Sequence, residues 1–177
     1  MVQLIPLDPR GAVHAAEQLA ALLRASFDEQ REQLPLQEEW ALVQRYLAIE
    51  GIRFGSRLQV QADLALEALD CAVPSFALQT LVENAVRHAA TPALQATRIH
   101  IQARCDAGHL RLSVADSGAG AEPAAIESST GTGLRRLRER LAAMYGGSAE
   151  LAFARSQPRG LTATLRLPQV RLGTDHD

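Results

Sequence analysis

Apolar residues recur every three or four positions between Ala12 and Phe27, at Ala12, Ala16, Leu19, Leu23 and Phe27, and so mark one face of a helix. Leu34-Pro35 breaks that pattern. A second helical pattern follows through Leu36, Trp40, Val43, Leu47 and Ile49 and ends near Gly51 and Gly55. Past Gly55 the period becomes two: Leu58, Val60, Ala62 and Leu64 alternate with polar residues, as expected of a half-buried strand. Pro74 stands just ahead of a helix predicted from Ser75 to about His88, with Leu78, Leu81, Val82 and Ala85 on its buried stripe. Strands are predicted at Arg98 to Arg104 and His109 to Ala115, joined by the short turn Asp106-Ala107-Gly108. Gly131-Thr132-Gly133 opens a helix that runs to about Tyr145 and stops at Gly146-Gly147. The last two strands, Ala149 to Ala154 and Leu161 to Leu167, meet at a turn through Gln157-Pro158-Arg159-Gly160.

This order predicts an α/β chain in three parts. Residues 1–55 form a helical lead-in, 56–170 a two-layer α/β sandwich with a mixed sheet, and 171–177 a tail, with fraying expected from Gln169. The apolar stripes of the lead-in suit packing on a partner chain and folding back on their own domain equally well. Trp40 and Tyr46 read as packing residues of the second helix.

Composition narrows the chemistry. No apolar run approaches the roughly 18 residues of a bilayer span. The start of the chain, with Pro6, Asp8 and Pro9, lacks the basic-then-apolar layout of a signal peptide. Cys71 and Cys105 stand far apart in sequence with no Cys-x-x-Cys, so two buried thiols in a reducing cytoplasm are expected, with neither a disulfide framework nor a zinc site. A net charge of -2 argues against nucleic acid as the main partner. All 18 positive charges are Arg and Lys is absent, which removes the Walker phosphate loop, the eukaryotic-type protein kinase and Schiff-base chemistry.

Three segments carry candidate chemistry: Leu81 to Ala89 on a helix, Asp116-Ser117-Gly118-Ala119-Gly120 where a strand ends, and Gly131-Thr132-Gly133-Leu134 where a helix begins. Each suits a different piece of ATP. A carboxylate at the end of a buried strand, Asp116, accepts a hydrogen bond from the exocyclic amine of adenine, and Gly118 and Gly120 let the backbone approach the base. Gly131 and Gly133 free the backbone to aim N–H groups at phosphate oxygens, with the positive end of the following helix behind them. Asn84 offers a neutral oxygen to Mg2+, which keeps several waters and uses substrate phosphates as further ligands. Arg87 and His88, one helical turn on, then meet phosphate charge. Taken singly, an Asp-x-Gly-x-Gly is a turn and an Asn on a helix is a solvated side chain. The order and the elements that carry them give the set its meaning.

With those segments in view, the chain resembles the GHKL ATPase superfamily, which shares the Bergerat ATP-binding fold, and within it the LytS-type sensor histidine kinases. Pro74 to Ala89 is similar to that family's Asn-bearing motif, and Asp116 to Gly120 and Gly131 to Leu134 to its two glycine motifs. Leu22-Leu23-Arg24, Leu36 to Glu39, Tyr46 to Glu50 and Arg53-Phe54 resemble the segment this family places between its phosphoacceptor His and its ATPase domain. The resemblance implies an ATP site built from Asn84, Arg87, His88, Asp116, Gly118, Gly120, Thr130, Gly131, Thr132, Gly133 and Leu134, with Asn84 toward Mg2+ and essential to catalysis. It implies transfer of the γ-phosphoryl group to a His outside this chain and then to a response regulator. In the full-length protein it implies a homodimer, anchored to the inner membrane through an upstream region.

The sequence departs from the family in places. The His-Phe-Leu-Phe-Asn type acceptor motif is absent, so the chain is expected to be a piece of a longer protein that does not phosphorylate itself alone. His14 lies in Ala12-Val13-His14-Ala15, which does not resemble that motif. Arg87 replaces a common Lys, Arg136 a common Asn, and the stretch from Ala121 to Thr130 is a short lid of small residues. Glu83 is either a carboxylate that polarises water, as in hydrolysing relatives, or a bystander to transfer. Arg135, Arg136, Arg138 and Arg140 either steer phosphate and partners or form a solvated face paired with acids such as Glu139. Two alternatives differ in kind: a degenerate regulatory module acting through partners, and an anti-sigma-type Ser/Thr kinase.

Overall fold

A computed structural model of the protein describes residues 31–90, 96–120 and 132–171. From Gln33 onward the described residues belong to one compact unit. The helical pattern predicted between Ala12 and Phe27 lies outside the described residues.

Strand β1 (Gln33–Pro35) leads into helix α1 (Leu36–Phe54), which is followed by β2 (Leu58–Leu64), the short helix α2 (Leu66–Leu69), β3 (Ala72–Pro74) and helix α3 (Ala77–Ala85). Beyond it come β4 (Thr97–Asp106), β5 (His109–Asp116), α4 (Thr132–Tyr145), β6 (Glu150–Arg155) and β7 (Leu161–Pro168). The main sheet has the order β2-β4-β5-β7-β6, with β2 parallel to β4 and every other pair antiparallel. The mixed sheet predicted from sequence is therefore present. β1 and β3, which the sequence pattern does not announce, pair antiparallel in a small second sheet.

Period-two alternation decides which face of the sheet is covered. Ile99, Ile101 and Ala103 on β4, Leu110, Leu112 and Val114 on β5, and Ala163, Leu165 and Leu167 on β7 are buried, whereas Arg98, Arg104, Arg111 and Arg166 are exposed on the other face. The buried face meets Leu78, Leu81, Val82 and Ala85 of α3 and Leu134, Leu137 and Leu141 of α4 in one hydrophobic core. Among the described residues two layers result, because the opposite face of the sheet is polar and no described helix packs on it.

The structure corrects four expectations. On α1 the buried positions are Leu36, Glu39, Val43, Glu50 and Phe54, so the stripe includes two carboxylates, and Ile49 falls off it and is 66% exposed. Trp40, Tyr46 and Leu47 still pack partly against the core. β2 is not half-buried: it is the edge strand, and Val60 and Ala62 are exposed because the helical layer does not reach over it. Gln169 to Arg171 are bound rather than frayed, through Gln169 N–H to Gly108 O (2.9 Å), Ala72 N–H to Val170 O (2.7 Å) and a bridge between Cys71 and Arg171. Of the two thiols expected to be buried, only Cys71 is: Cys105 is partly exposed, and the two free thiols have their sulfurs 3.5 Å apart.

Candidate functional site

Asp116 is the last residue of β5 and continues the buried series Leu110, Leu112, Val114. Alternation therefore turns its carboxylate toward the helices, where it is only 8% exposed. Burial pushes its pKa above the usual carboxylate value. That effect is opposed by hydrogen bonds from the Gly118 and Leu161 backbone and by the charge of nearby His88. The Gly118 N–H reaches Asp116 Oδ1 at 2.8 Å. A carboxylate placed so, with lone pairs to spare, suits a neutral donor such as an exocyclic amine.

The turn after Asp116 is tied to its surroundings. Ser117 N–H donates to Arg98 O (3.0 Å), and Arg98 N–H donates to Ser117 Oγ (2.9 Å), which fixes the turn on the start of β4. Gly118 lies against the end of the Asn84-bearing helix: a Cβ there would stand 2.6 Å from Ala89 Cβ and 2.8 Å from Ala89 Cα. Only glycine permits that approach. Ala89 is itself held, since its carbonyl accepts from Thr97 Oγ1 at 3.3 Å. Gly120 is exposed and, with Ala119, borders a cleft of about 440 Å3 against residues 155–160 of the β6–β7 turn.

Helix α3 begins at Ala77 rather than Ser75, after Phe76 in a left-handed conformation (φ 61°), and beyond Ala85 widens into a π-turn, Val86–Ala90. Its buried stripe is the predicted one. Thr80, Asn84 and His88 recur at i, i+4, i+8, the spacing that places residues along one side of a helix. Thr80 Cγ2 is 3.5 Å from where a Cβ on Gly133 would stand, and His88 stands next to Ala89, which Gly118 of the Asp116 turn approaches. Asn84, half-buried, lies between them. Arg87 and His88 are exposed, free to swing toward an anion. Glu83 is half-buried and accepts from Gln79 Nε2 at 2.9 Å.

Thr132 and Gly133 are exposed at the first turn of α4, whereas Leu134 is buried with Leu137 and Leu141, so its side chain serves the core. Thr130 and Gly131, and the lid from Ala121 to Thr130, lie outside the described residues. The arginines of α4 divide. Arg135 pairs with Glu139 at 3.9 Å on the surface, as the solvated reading expects. Arg138 covers the Phe153 ring at 5.6 Å, and Arg140 Nη1 donates to Ser75 O at 2.6 Å. Arg140 is thus a structural tie rather than a solvent-facing charge.

Sequence reasoning missed two residues of this region. Glu39 on α1 is fully buried and accepts from the backbone N–H groups of Phe76, Leu78 (3.0 Å) and Gln79 (3.3 Å), at the start of α3. Gly160 (φ 112°) sits under Asp116. Neither partner lies near in sequence, so no local pattern signals the contact. Among the described residues no cluster of three or more His, Cys, Asp or Glu is placed to hold a metal ion.

Residues 74–171 match the family described as histidine kinase-, DNA gyrase B-, and HSP90-like ATPase, and residues 1–58 match the family described as histidine kinase. The chain is 32% identical over 154 residues to the sensor histidine kinase YesM of Bacillus subtilis, covering 86% of this chain and 27% of that protein. It is 34% identical over 168 residues to the sensor histidine kinase BtsS of Escherichia coli, covering 93% of this chain and 29% of that protein. The chain thus spans less than a third of the length of these relatives. In structure it is similar to the histidine kinase domain of the blue-light activated histidine kinase from Erythrobacter litoralis EL346, with a TM-score of 0.58 at 19% identity, over 77% of this chain and 62% of that one. That likeness shows the α/β fold. The chain belongs to the histidine kinase-, DNA gyrase B-, and HSP90-like ATPase family, as an ATP-binding domain of the sensor histidine kinase kind.

Proposed function

We propose that this domain binds Mg-ATP with adenine at Asp116 and the triphosphate directed past Asn84 toward the start of α4. Within a longer protein, the γ-phosphoryl group then passes to a histidine outside this chain and on to a response regulator. The observation that carries the reading is the run of helix on which Asn84 lies between Thr80, beside Gly133, and Ala89, against Gly118 in the turn after Asp116. One helix thereby spans the base end and the phosphate end of a nucleotide.

The residues divide the work. Asp116 selects the base through its exocyclic amine, a charge-assisted hydrogen bond worth about 1.5–3 kcal/mol. Gly118 brings the backbone close enough for the base to lie over it. Thr132 and Gly133 offer N–H groups at a helix start, where the helix dipole favours phosphate. Arg87 adds positive charge and His88 a ring nitrogen to the phosphate side, and Asn84 supplies an oxygen to Mg2+. When bound, Mg2+ neutralises charge on the phosphates. Transfer to a histidine nitrogen needs positioning and charge compensation more than a protein base, which agrees with Glu83 being engaged by Gln79.

The match over residues 1–58 supports the sensor-kinase arrangement over an anti-sigma-type kinase. Homodimerisation, a cytoplasmic location and membrane attachment through another region complete the proposal for the whole protein. No helix among the described residues is long and apolar enough to cross a membrane. The test is calorimetric titration with an ATP analogue, with and without Mg2+, for wild type, Asp116→Ala and Asn84→Ala. Asp116→Ala is expected to lose affinity by roughly one to two orders of magnitude, and Asn84→Ala to lose its dependence on Mg2+. Folded wild type that binds no nucleotide would overturn the reading.

A further inference from the structure

Helix α3 lacks a local cap. Phe76 occupies the cap position without a side-chain hydrogen bond to the helix, so the first N–H groups of α3 have no partner within their own segment. They are satisfied from elsewhere. Glu39, in the first turns of α1, buries its carboxylate completely and takes the N–H groups of Phe76, Leu78 and Gln79. A negative charge there also meets the positive end of the helix dipole. The residue just ahead, Ser75, gives its carbonyl to Arg140 of α4. The junction that starts the Asn84-bearing helix is therefore gripped by side chains of two other helices, one on each side of it in sequence.

A helix transmits such a grip. Leu78 and Asn84 are six residues apart, about 9 Å along the axis, and the intervening hydrogen bonds make the segment move as one piece. The Asp116 end is anchored differently, by the ties of Ser117 to Arg98 and of Thr97 to Ala89, which do not involve α1. A change in where α1 sits thus reaches Asn84 through α3 itself, and reaches Asp116 only beyond the π-turn, through the contact of Ala89 with Gly118.

We infer that Glu39 is a positioning residue for Asn84: its carboxylate references the phosphate end of the nucleotide site to helix α1, so that α1 sets how well the site accepts Mg-bound phosphates while recognition of the base is left in place. This rests on the reading of Asn84 as the Mg-phosphate residue. Glu39 itself touches neither nucleotide nor metal.

The experiment compares binding of ADP in chelator with binding of a non-hydrolysable ATP analogue in Mg2+, by calorimetry, for wild type, Glu39→Ala, Glu39→Gln, Glu38→Ala and Asn84→Ala. Expected for Glu39→Ala is a loss of about tenfold or more in the Mg-dependent affinity, the scale of charge-assisted bonds, with Mg-free ADP binding within about twofold of wild type. Glu39→Gln is expected between the two, because its amide retains one oxygen acceptor but turns an N–H2 toward backbone N–H groups. Glu38→Ala, one position away and exposed, is expected to match wild type. A cap that only stabilised the fold would lower the melting temperature and leave the ratio of the two affinities unchanged, and that result overturns the inference. If Glu39→Ala does not fold, Glu39→Gln decides by the same ratio. If Asn84→Ala keeps its Mg dependence, the underlying reading of the site falls instead, whatever the Glu39 variants do.

Discussion

Gly160 lies directly beneath Asp116: a Cβ placed on Gly160 would stand 1.9 Å from the Asp116 carbonyl oxygen, and the residue has φ 112°. The β6–β7 turn therefore presses its backbone against the strand end that presents the Asp116 carboxylate. Gly160→Ala combines a backbone clash with a strained dihedral. It is expected to destabilise the domain by about 2–4 kcal/mol, read by urea denaturation, and to weaken nucleotide binding in the fraction that stays folded. An Ala variant of wild-type stability would show that the turn can lift off Asp116.

Gly118→Ala tests the contact on the other side. The added methyl meets Ala89 Cβ at 2.6 Å and Asp116 Oδ1 at 2.9 Å, so the turn must withdraw from the helix end. Overpacking of this size costs about 1–3 kcal/mol. Because the displaced turn carries the base-binding backbone, affinity for ADP is expected to fall more than stability does, and a titration beside a melting curve separates the two.

Asp116 titrates above its usual carboxylate value because burial outweighs its backbone partners. A raised folded pKa means that the folded chain holds the proton more tightly than the unfolded chain. This residue's contribution therefore favours the fold more as pH falls toward the unfolded value of 3.8, and less as pH rises through the folded pKa. Nucleotide binding runs the other way, since only the carboxylate accepts both the Gly118 N–H and an adenine amine without competing for a donor. Affinity is expected to decline on acidification, starting above the ordinary carboxylate range, and Asp116→Asn should flatten that decline along with lowering affinity.

Arg140 fastens Ser75 from α4. Arg140→Ala removes a donor from the carbonyl of buried Ser75 at the head of α3 and is expected to cost about 1–3 kcal/mol, whereas Arg135→Ala, which breaks only a surface pair at 3.9 Å, should cost less than about 0.5 kcal/mol. Urea midpoints of the two variants give the comparison. Equal effects would mean that the Ser75 bond contributes nothing.

Much of this was legible in the sequence, and the reasons are local. Asp116 could be placed on a strand end because Leu110, Leu112 and Val114 alternate up to it, and Gly118 because a glycine two residues past a strand carboxylate marks a tight turn. Alternation also predicted that β2 has an apolar side. It could not say that the helical layer stops short of the sheet edge, so Val60 was expected inside and lies outside. Glu39 was hidden for a related cause. An acid in the first turn of a helix usually answers its own helix dipole, and nothing nearby marks its partner as the start of another helix. Phase hid Ile49 in the same way, since a stripe read through Leu47 and Ile49 differs by only a fraction of a turn from the observed one through Glu50 and Phe54.

The corner where Cys71 meets Cys105 also follows from long-range placement. Burial, followed by the hydrogen bond and the charge of Cys105, pushes the Cys71 thiol up to about 11, while Cys105 is only partly covered. An alkylating reagent at neutral pH is expected to take Cys105 and spare Cys71 in the folded chain, and to take both in denaturant, as peptide mass mapping would show. These are the chain's two cysteines, and Cys71 also receives the Leu36 N–H at the root of α1. The protein therefore carries a native stopwatch: with Cys105 blocked first, the rate at which Cys71 becomes labelled counts the openings of the corner that holds α1, with no probe having to be engineered in.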